Sequence, residues 1–111
     1  MDIQFKHHDK TYKGRFRMYR YANNGNIAIE LQNWDEDMHG WDRYAMISIN
    51  TDTYMDSNHF VAKMYSENLG LVQQFIDAGL FTPTGELVAS GYVEAPVLGC
   101  EPRFLEMAIE D

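Results

Sequence analysis

Apolar and polar side chains alternate through the first third of the chain. Residues 10–21 and residues 27–32 each place apolar side chains on one face of an extended strand and polar ones on the other. Asn24-Gly25 lies between them and suits a two-residue type I′ turn, because both central residues of that turn need positive φ. The pattern predicts an antiparallel hairpin in a register that pairs Met18 with Leu31.

Helical periodicity follows residue 66. Over residues 67–78 the apolar side chains fill about half of a helical wheel. Ser66 is a suitable N-cap, and Gly79 is a suitable left-handed stop. The pattern predicts one principal amphipathic helix over residues 67–78. A short C-terminal helix is predicted from Pro102, since proline suits the first helical position.

The fold class follows from these elements and from the remaining short apolar runs, which are typical of strands. We expect residues 1–111 to form a single α+β domain: an antiparallel sheet of about five to six strands with the principal helix packed on one face. A chain of 111 residues can bury a core without disulfides. Its single cysteine, Cys100, excludes an internal disulfide and a multi-cysteine zinc site.

Charge is unevenly distributed along the chain, whose formal net charge is −8. Residues 1–21 carry six basic and two acidic side chains, whereas residues 22–111 carry three basic and fifteen acidic ones. This acidic balance disfavours a dedicated nucleic-acid binder. The sequence also lacks a run typical of a signal peptide or a membrane span, so we expect a cytoplasmic protein without membrane contact.

The segment 33–42 is predicted to be a polar loop that combines tryptophans with acids. Tryptophan is favoured at binding hot spots, so this loop is a candidate partner-binding site. Its candidate residues are Trp34, Asp35, Glu36, Asp37, Trp41 and Asp42. The expected partner is a protein with a basic surface, and an acidic chain of this kind could imitate nucleic acid in a basic groove. The structural alternative is a solvated loop that only keeps the sheet soluble.

A basic row on the first long strand supports a different hypothesis. Lys13, Arg15, Arg17 and Tyr19 share one strand face and are followed by Tyr21. Such a row could follow a phosphate backbone while the aromatic rings stack on bases. The structural alternative is that these cations pair with acids of the neighbouring strand.

Metal binding is a further alternative, because Asp35, Asp37 and His39 have the first spacings of an EF-hand loop. The position that should carry a bidentate glutamate is Met46, so no metal and no cofactor is expected. The sequence contains no nucleophile elbow, no glycine-rich phosphate loop and no zinc-protease motif. We therefore expect a protein that is not an enzyme.

Part of the chain resembles a family of small uncharacterised proteins from bacteria, plasmids, phages and integrative elements. The resemblance lies in Tyr65-Ser66-Glu67-Asn68-Leu69-Gly70-Leu71, Ala78-Gly79-Leu80, Thr84-Gly85 and Ser90-Gly91-Tyr92-Val93-Glu94-Ala95-Pro96-Val97. It implies a mobile-element setting, in which small acidic proteins are often inhibitors of host defence, including anti-CRISPR proteins. The leading expectation is therefore an accessory protein that binds a host nuclease or CRISPR effector.

Overall fold

The structure is a computed structural model and describes residues 2–110. The strands in this range are β1 (Ile3–His7), β2 (Lys10–Arg20), β3 (Ile27–Asp35), β4 (Gly40–Met46), β5 (Ser48–Ile49), β6 (His59–Ala62), β7 (Phe81–Ser90), β8 (Val93–Cys100) and β9 (Ile109–Glu110). A 3₁₀ turn spans Ser66–Asn68, and the two α-helices are α1 (Gln73–Asp77) and α2 (Pro102–Met107).

Two sheets make up the architecture. The first sheet has the antiparallel order β1-β2-β3-β4, and β9 adds to β2 in parallel beyond the end of β1. The second sheet has the order β5-β6-β8-β7 and is antiparallel. Within residues 2–110, β4 is therefore one edge strand of the first sheet, and β7 is one edge strand of the second.

The chain passes from the first sheet to the second at Ile47. The Ile47 amide donates to the Ile29 carbonyl at 2.9 Å, which continues the β3–β4 ladder. The Ile47 carbonyl accepts from the Lys63 amide at 2.8 Å, which begins the β5–β6 ladder. One fully buried residue thus joins both sheets.

Phenylalanine rings fill the space between the sheets. Phe16 of the first sheet lies 5.0 Å from the ring of Phe75 in α1 and 5.1 Å from that of Phe104 in α2. On the second sheet, the rings of Phe60 and Phe81 are 5.0 Å apart. All five rings are buried, so the two short helices close the core between the sheets.

The predicted α+β class with a principal helix is wrong. The described chain is mostly antiparallel sheet, and each α-helix is shorter than seven residues. The helix predicted over residues 67–78 is interrupted at Gly70, whose φ of +79° is left-handed. Just before it, the buried Asn68 side chain donates to the carbonyls of Met46 and Lys63 and so fixes the chain to the sheets. Leu69, expected on the buried face, is exposed.

Two local helix signals are confirmed. Gly79 has a φ of +80° and follows the end of α1, and the Leu80 amide donates to the Phe75 carbonyl as in a Schellman motif. The C-terminal helix begins at Pro102 as predicted. In both cases the stop or start depends on the conformation of one residue, which the sequence identifies without tertiary information.

The β2–β3 hairpin forms, but its predicted register is wrong by two residues. Met18 pairs with Ile29 rather than Leu31. The connection is a four-residue loop, closed by bonds of 2.9 Å from the Gly25 amide to the Tyr21 carbonyl and from the Tyr21 amide to the Asn26 carbonyl. Gly25 has positive φ and Asn24 does not, so the type I′ turn is absent. A shift of two preserves which face each side chain occupies.

The outer face of the second sheet, on the side away from the shared core, is apolar and covered. Val61, Ala95 and Val97 form a second small core there with Met55, which lies in the segment before β6. The buried Asn26 side chain holds that segment in place: its Nδ2 donates to the Thr53 carbonyl at 2.8 Å, and its Oδ1 accepts from the Met55 amide at 3.1 Å.

Candidate functional site: the outer face of the first sheet

The outer face of the first sheet collects cationic and aromatic side chains from three strands. Along β2 these side chains alternate with the buried Phe16 and Met18, and cross-strand pairing brings those of β3 and β4 beside them. We call this surface the Arg–Trp face. Its residues are Lys13, Arg15, Arg17, Tyr19, Glu30, Gln32, Trp34, Trp41 and Arg43.

Two tryptophans form one end of the Arg–Trp face. Trp34 and Trp41 pair directly across β3 and β4, with ring centroids 5.4 Å apart in an edge-to-face arrangement. The Arg15 guanidinium lies 4.4 Å from the Trp41 ring centroid, and the Lys13 amine lies 5.4 Å from that of Trp34. These cations cover the aromatic rings and are oriented by them.

A buried carboxylate lies at the centre of the face. Arg43 Nε donates to Glu30 Oε1 at 2.8 Å, and Arg17 Nη1 lies 3.9 Å from Glu30 Oε2. Gln32 Nε2 donates to the same carboxylate at 2.6 Å, while Gln32 Oε1 accepts from Arg15 Nε at 2.7 Å. The Glu30 side chain is only 4% exposed, whereas that of Arg43 is 59% exposed. The carboxylate thus anchors guanidinium groups that remain open to solvent.

The electrostatics of the face follow from this arrangement. The hydrogen bond from Arg43 to Glu30, aided by the charge of that carboxylate, raises the pKa of Arg43 further above its usual value. The Tyr19 ring lies 5.5 Å from the Arg17 guanidinium. Burial raises the pKa of Tyr21, which follows Tyr19 on the same side of the chain. Four cationic side chains on this surface outnumber two carboxylates, the buried Glu30 and Asp2, whose Oδ2 lies 3.5 Å from Lys13 Nζ. The Arg–Trp face is therefore positive in a protein whose net charge is −8.

The predicted polar loop over residues 33–42 is largely strand. Trp34 and Trp41 lie on β3 and β4, and only residues 36–39 form the turn between them. Asp35 Oδ1 accepts from the amides of Asp37 and Met38 at 2.9 and 3.2 Å, so this acid has a structural role in the turn. Two members of the predicted binding loop therefore belong to the Arg–Trp face instead.

The remaining acids of that segment lie away from the face. Glu36 and Asp37 are exposed in the turn, and Asp42 is exposed on the side of β4 opposite to Trp41. His39, in the same turn, has a φ of +50°. Among residues 2–110, no group of three or more histidine, cysteine or acidic side chains is arranged to hold a metal ion.

The contribution of β4 to the Arg–Trp face was not predicted from the sequence. Arg43 and Trp41 are two residues apart, and that spacing could have placed them on one strand face. A β-bulge hides the continuation, because Tyr44 is an extra residue between the pairs Gln32–Arg43 and Leu31–Ala45. The bulge turns both Tyr44 and Ala45 toward the core.

Comparisons with known proteins leave the resemblance described above as a prediction. No protein family, no curated protein and no solved structure matches this chain. Within the part of the chain that the structure describes, neither α-helix has the length and apolar character needed to cross a membrane.

Proposed function

We propose that the protein is a non-enzymatic binding module that recognises an acidic site on a partner protein through the Arg–Trp face. The observation that most supports this proposal is the set of four cationic side chains on one solvent-facing sheet surface, two of which, Arg17 and Arg43, lie against the buried Glu30 carboxylate. Guanidinium groups already held by rings and hydrogen bonds lose less conformational freedom when they bind a carboxylate. The face is therefore preorganised for anionic groups.

A protein carboxylate suits this face better than a nucleic acid does. Stacking of bases needs open ring faces, but Arg15 covers Trp41 and Arg17 lies over Tyr19. The net charge of −8 also repels a long run of phosphates more than it repels one or two carboxylates. The basic row of β2 is thus better explained by recognition of a short acidic segment.

Tryptophan fluorescence provides a direct test, because both tryptophans of the chain lie in the Arg–Trp face. Titration with a capped oligoglutamate peptide at low salt should give a saturable change in emission. The change should diminish at about 0.5 M NaCl, where charges are screened within a few ångströms. Arg15→Gln should weaken binding about threefold or more, as expected when one charge-assisted contact is lost.

The matched control is Lys10→Gln, which removes one positive charge from an exposed position at the far end of β2. With both variants compared at about 0.15 M NaCl, it should bind the peptide within about twofold of the parent protein, since a distant exposed charge is screened at that ionic strength. An equal loss in both variants would mean that only the overall charge matters. Tighter binding of oligothymidylate than of oligoglutamate would contradict the proposal in favour of the nucleic-acid hypothesis.

A second candidate function uses the acidic turn between β3 and β4. Glu36 and Asp37 are exposed there beside Met38, which is 77% exposed, so the tip combines charge with apolar area. Such a tip could contact a basic groove, as in a host nuclease or CRISPR effector. The test is titration with a capped oligolysine peptide. Glu36→Gln combined with Asp37→Asn should weaken that binding and leave oligoglutamate binding unchanged; an unchanged oligolysine affinity would contradict this candidate.

A further inference from the structure

The strand that supplies Trp41 and Arg43 is also an edge of the first sheet. Within residues 2–110, no strand pairs with β4 on the side away from β3. The bulge at Tyr44 ends the regular part of β4, and just beyond it the Met46 carbonyl accepts from Asn68 Nδ2 at 2.6 Å. The regular, unpartnered stretch is therefore Gly40–Arg43, at the border of the Arg–Trp face.

We propose that the partner supplies a short extended segment that adds to β4 as a further strand of the first sheet. This inference rests on the proposed function and specifies how the acidic group is presented. An edge strand offers backbone groups to an incoming strand, and side chains at alternate positions then decide which sequence binds. The bulge at Tyr44 and the bond to Asn68 confine the added strand to a few residues.

The side chains of β4 specify the sequence of that segment. A residue opposite Arg43 lies on the Arg–Trp face and should be acidic. A residue opposite Trp41 lies on the same face and should be apolar, because it packs beside the indole ring. The residue between them lies opposite Asp42, on the other side of the sheet, and should be basic. The recognised pattern is apolar–basic–acidic at successive positions.

A palindromic peptide tests this pattern in either strand direction. The probe is a capped peptide with the central sequence Leu-Lys-Glu-Lys-Leu and threonine flanks. The comparison peptide exchanges its charges to Leu-Glu-Lys-Glu-Leu. Strand addition to β4 predicts that the first peptide binds more tightly, by about threefold or more in tryptophan fluorescence titrations. General attraction of anions to the face predicts the opposite order, because the comparison peptide carries more negative charge.

Backbone pairing is tested separately with two N-methylated forms of the first peptide. Each form carries methyl groups on alternate amides, one form for each phase. One form should lose binding, because its methyl groups replace the N–H groups that face β4, whereas the other form should retain binding. Equal binding by both forms would overturn strand addition.

The matched protein variant is Asp42→Lys, a change at an exposed position outside the Arg–Trp face. It should remove the preference for the first peptide and leave oligoglutamate binding undiminished. A preference for the charge-exchanged peptide in the parent protein would overturn strand addition while the proposed function stands. Failure of the parent protein to bind either peptide or oligoglutamate would overturn both.

Discussion

The outer faces of the two sheets differ in how they are shielded from solvent. Both sheets bury one face in the shared core. The outer face of the second sheet is apolar and is covered by the segment that contains Met55. The outer face of the first sheet is covered only by its own long side chains, which surround the buried Glu30 carboxylate. The comparison shows where stability is concentrated and where a surface remains open to a partner.

The largest expected loss of stability comes from a substitution in the covered outer face of the second sheet. Met55→Ala removes a side chain that is 7% exposed and packs with Val61, Ala95 and Val97. We expect a loss of about 2–4 kcal/mol in the free energy of unfolding, as for other buried methionines. Urea denaturation measures this loss. Met38→Ala, at an exposed position, is the control and should change stability by less than about 0.5 kcal/mol.

The next effect concerns the attachment of that segment. Asn26→Ala removes two hydrogen bonds and leaves the buried Met55 amide without its acceptor. We expect a loss of about 2 kcal/mol, together with faster hydrogen exchange of the Met55 amide. Asn58→Ala provides an exposed control. Unchanged exchange at Met55 would show that the segment is held by its apolar contacts alone.

The shared core between the two sheets contains Cys100, whose ionisation makes the free energy of unfolding depend on pH. Burial raises the pKa of Cys100 to about 12, from a usual value near 9. As pH rises above 9, the unfolded chain loses this proton before the folded protein does, so stability falls. The loss due to this thiol should reach about 1 kcal/mol at about pH 10. Urea denaturation of the parent protein and Cys100→Ala at successive pH values measures it, and parallel pH profiles would contradict it.

The smallest effect belongs to the open face. Arg15→Lys keeps the charge but loses the Nε bond to Gln32 and the stacking on Trp41. We expect a stability loss of about 0.5 kcal/mol, because the group is partly solvated. The tryptophan emission should nevertheless change, since the guanidinium no longer stacks on the Trp41 ring. A loss above about 2 kcal/mol would mean that the open face contributes as much to stability as the covered face, contrary to the comparison above.

The sequence predicts the faces of strands better than it predicts their partners. Alternation along β2 places Phe16 and Met18 inside and Arg15 and Arg17 outside, as the structure has them. The register was wrong because Asn24 binds outside its own hairpin: its side chain donates to the Thr51 carbonyl at 2.7 Å. A turn residue engaged by a distant segment departs from its local preference.

The predicted helix failed for a similar reason. Residues 67–78 have the periodicity of an amphipathic helix, but the side-chain Nδ2 of Asn68 donates to carbonyls of β4 and of the segment after β6. Those tertiary bonds and the left-handed Gly70 outweigh helix propensity. Of the candidate site, both the basic row and the tryptophan pair were found in the sequence. Their common surface depends on cross-strand pairing, which the sequence of each strand does not contain.

Ile47 couples the two sheets mechanically. Its amide and its carbonyl serve different sheets, with no intervening loop to absorb a relative movement. Separation of the sheets would break at least one of these two bonds and expose a fully buried side chain. Strain on one sheet is therefore transmitted directly through this residue to the other. A pull on the edge of β4 by a bound strand would be resisted by both sheets together.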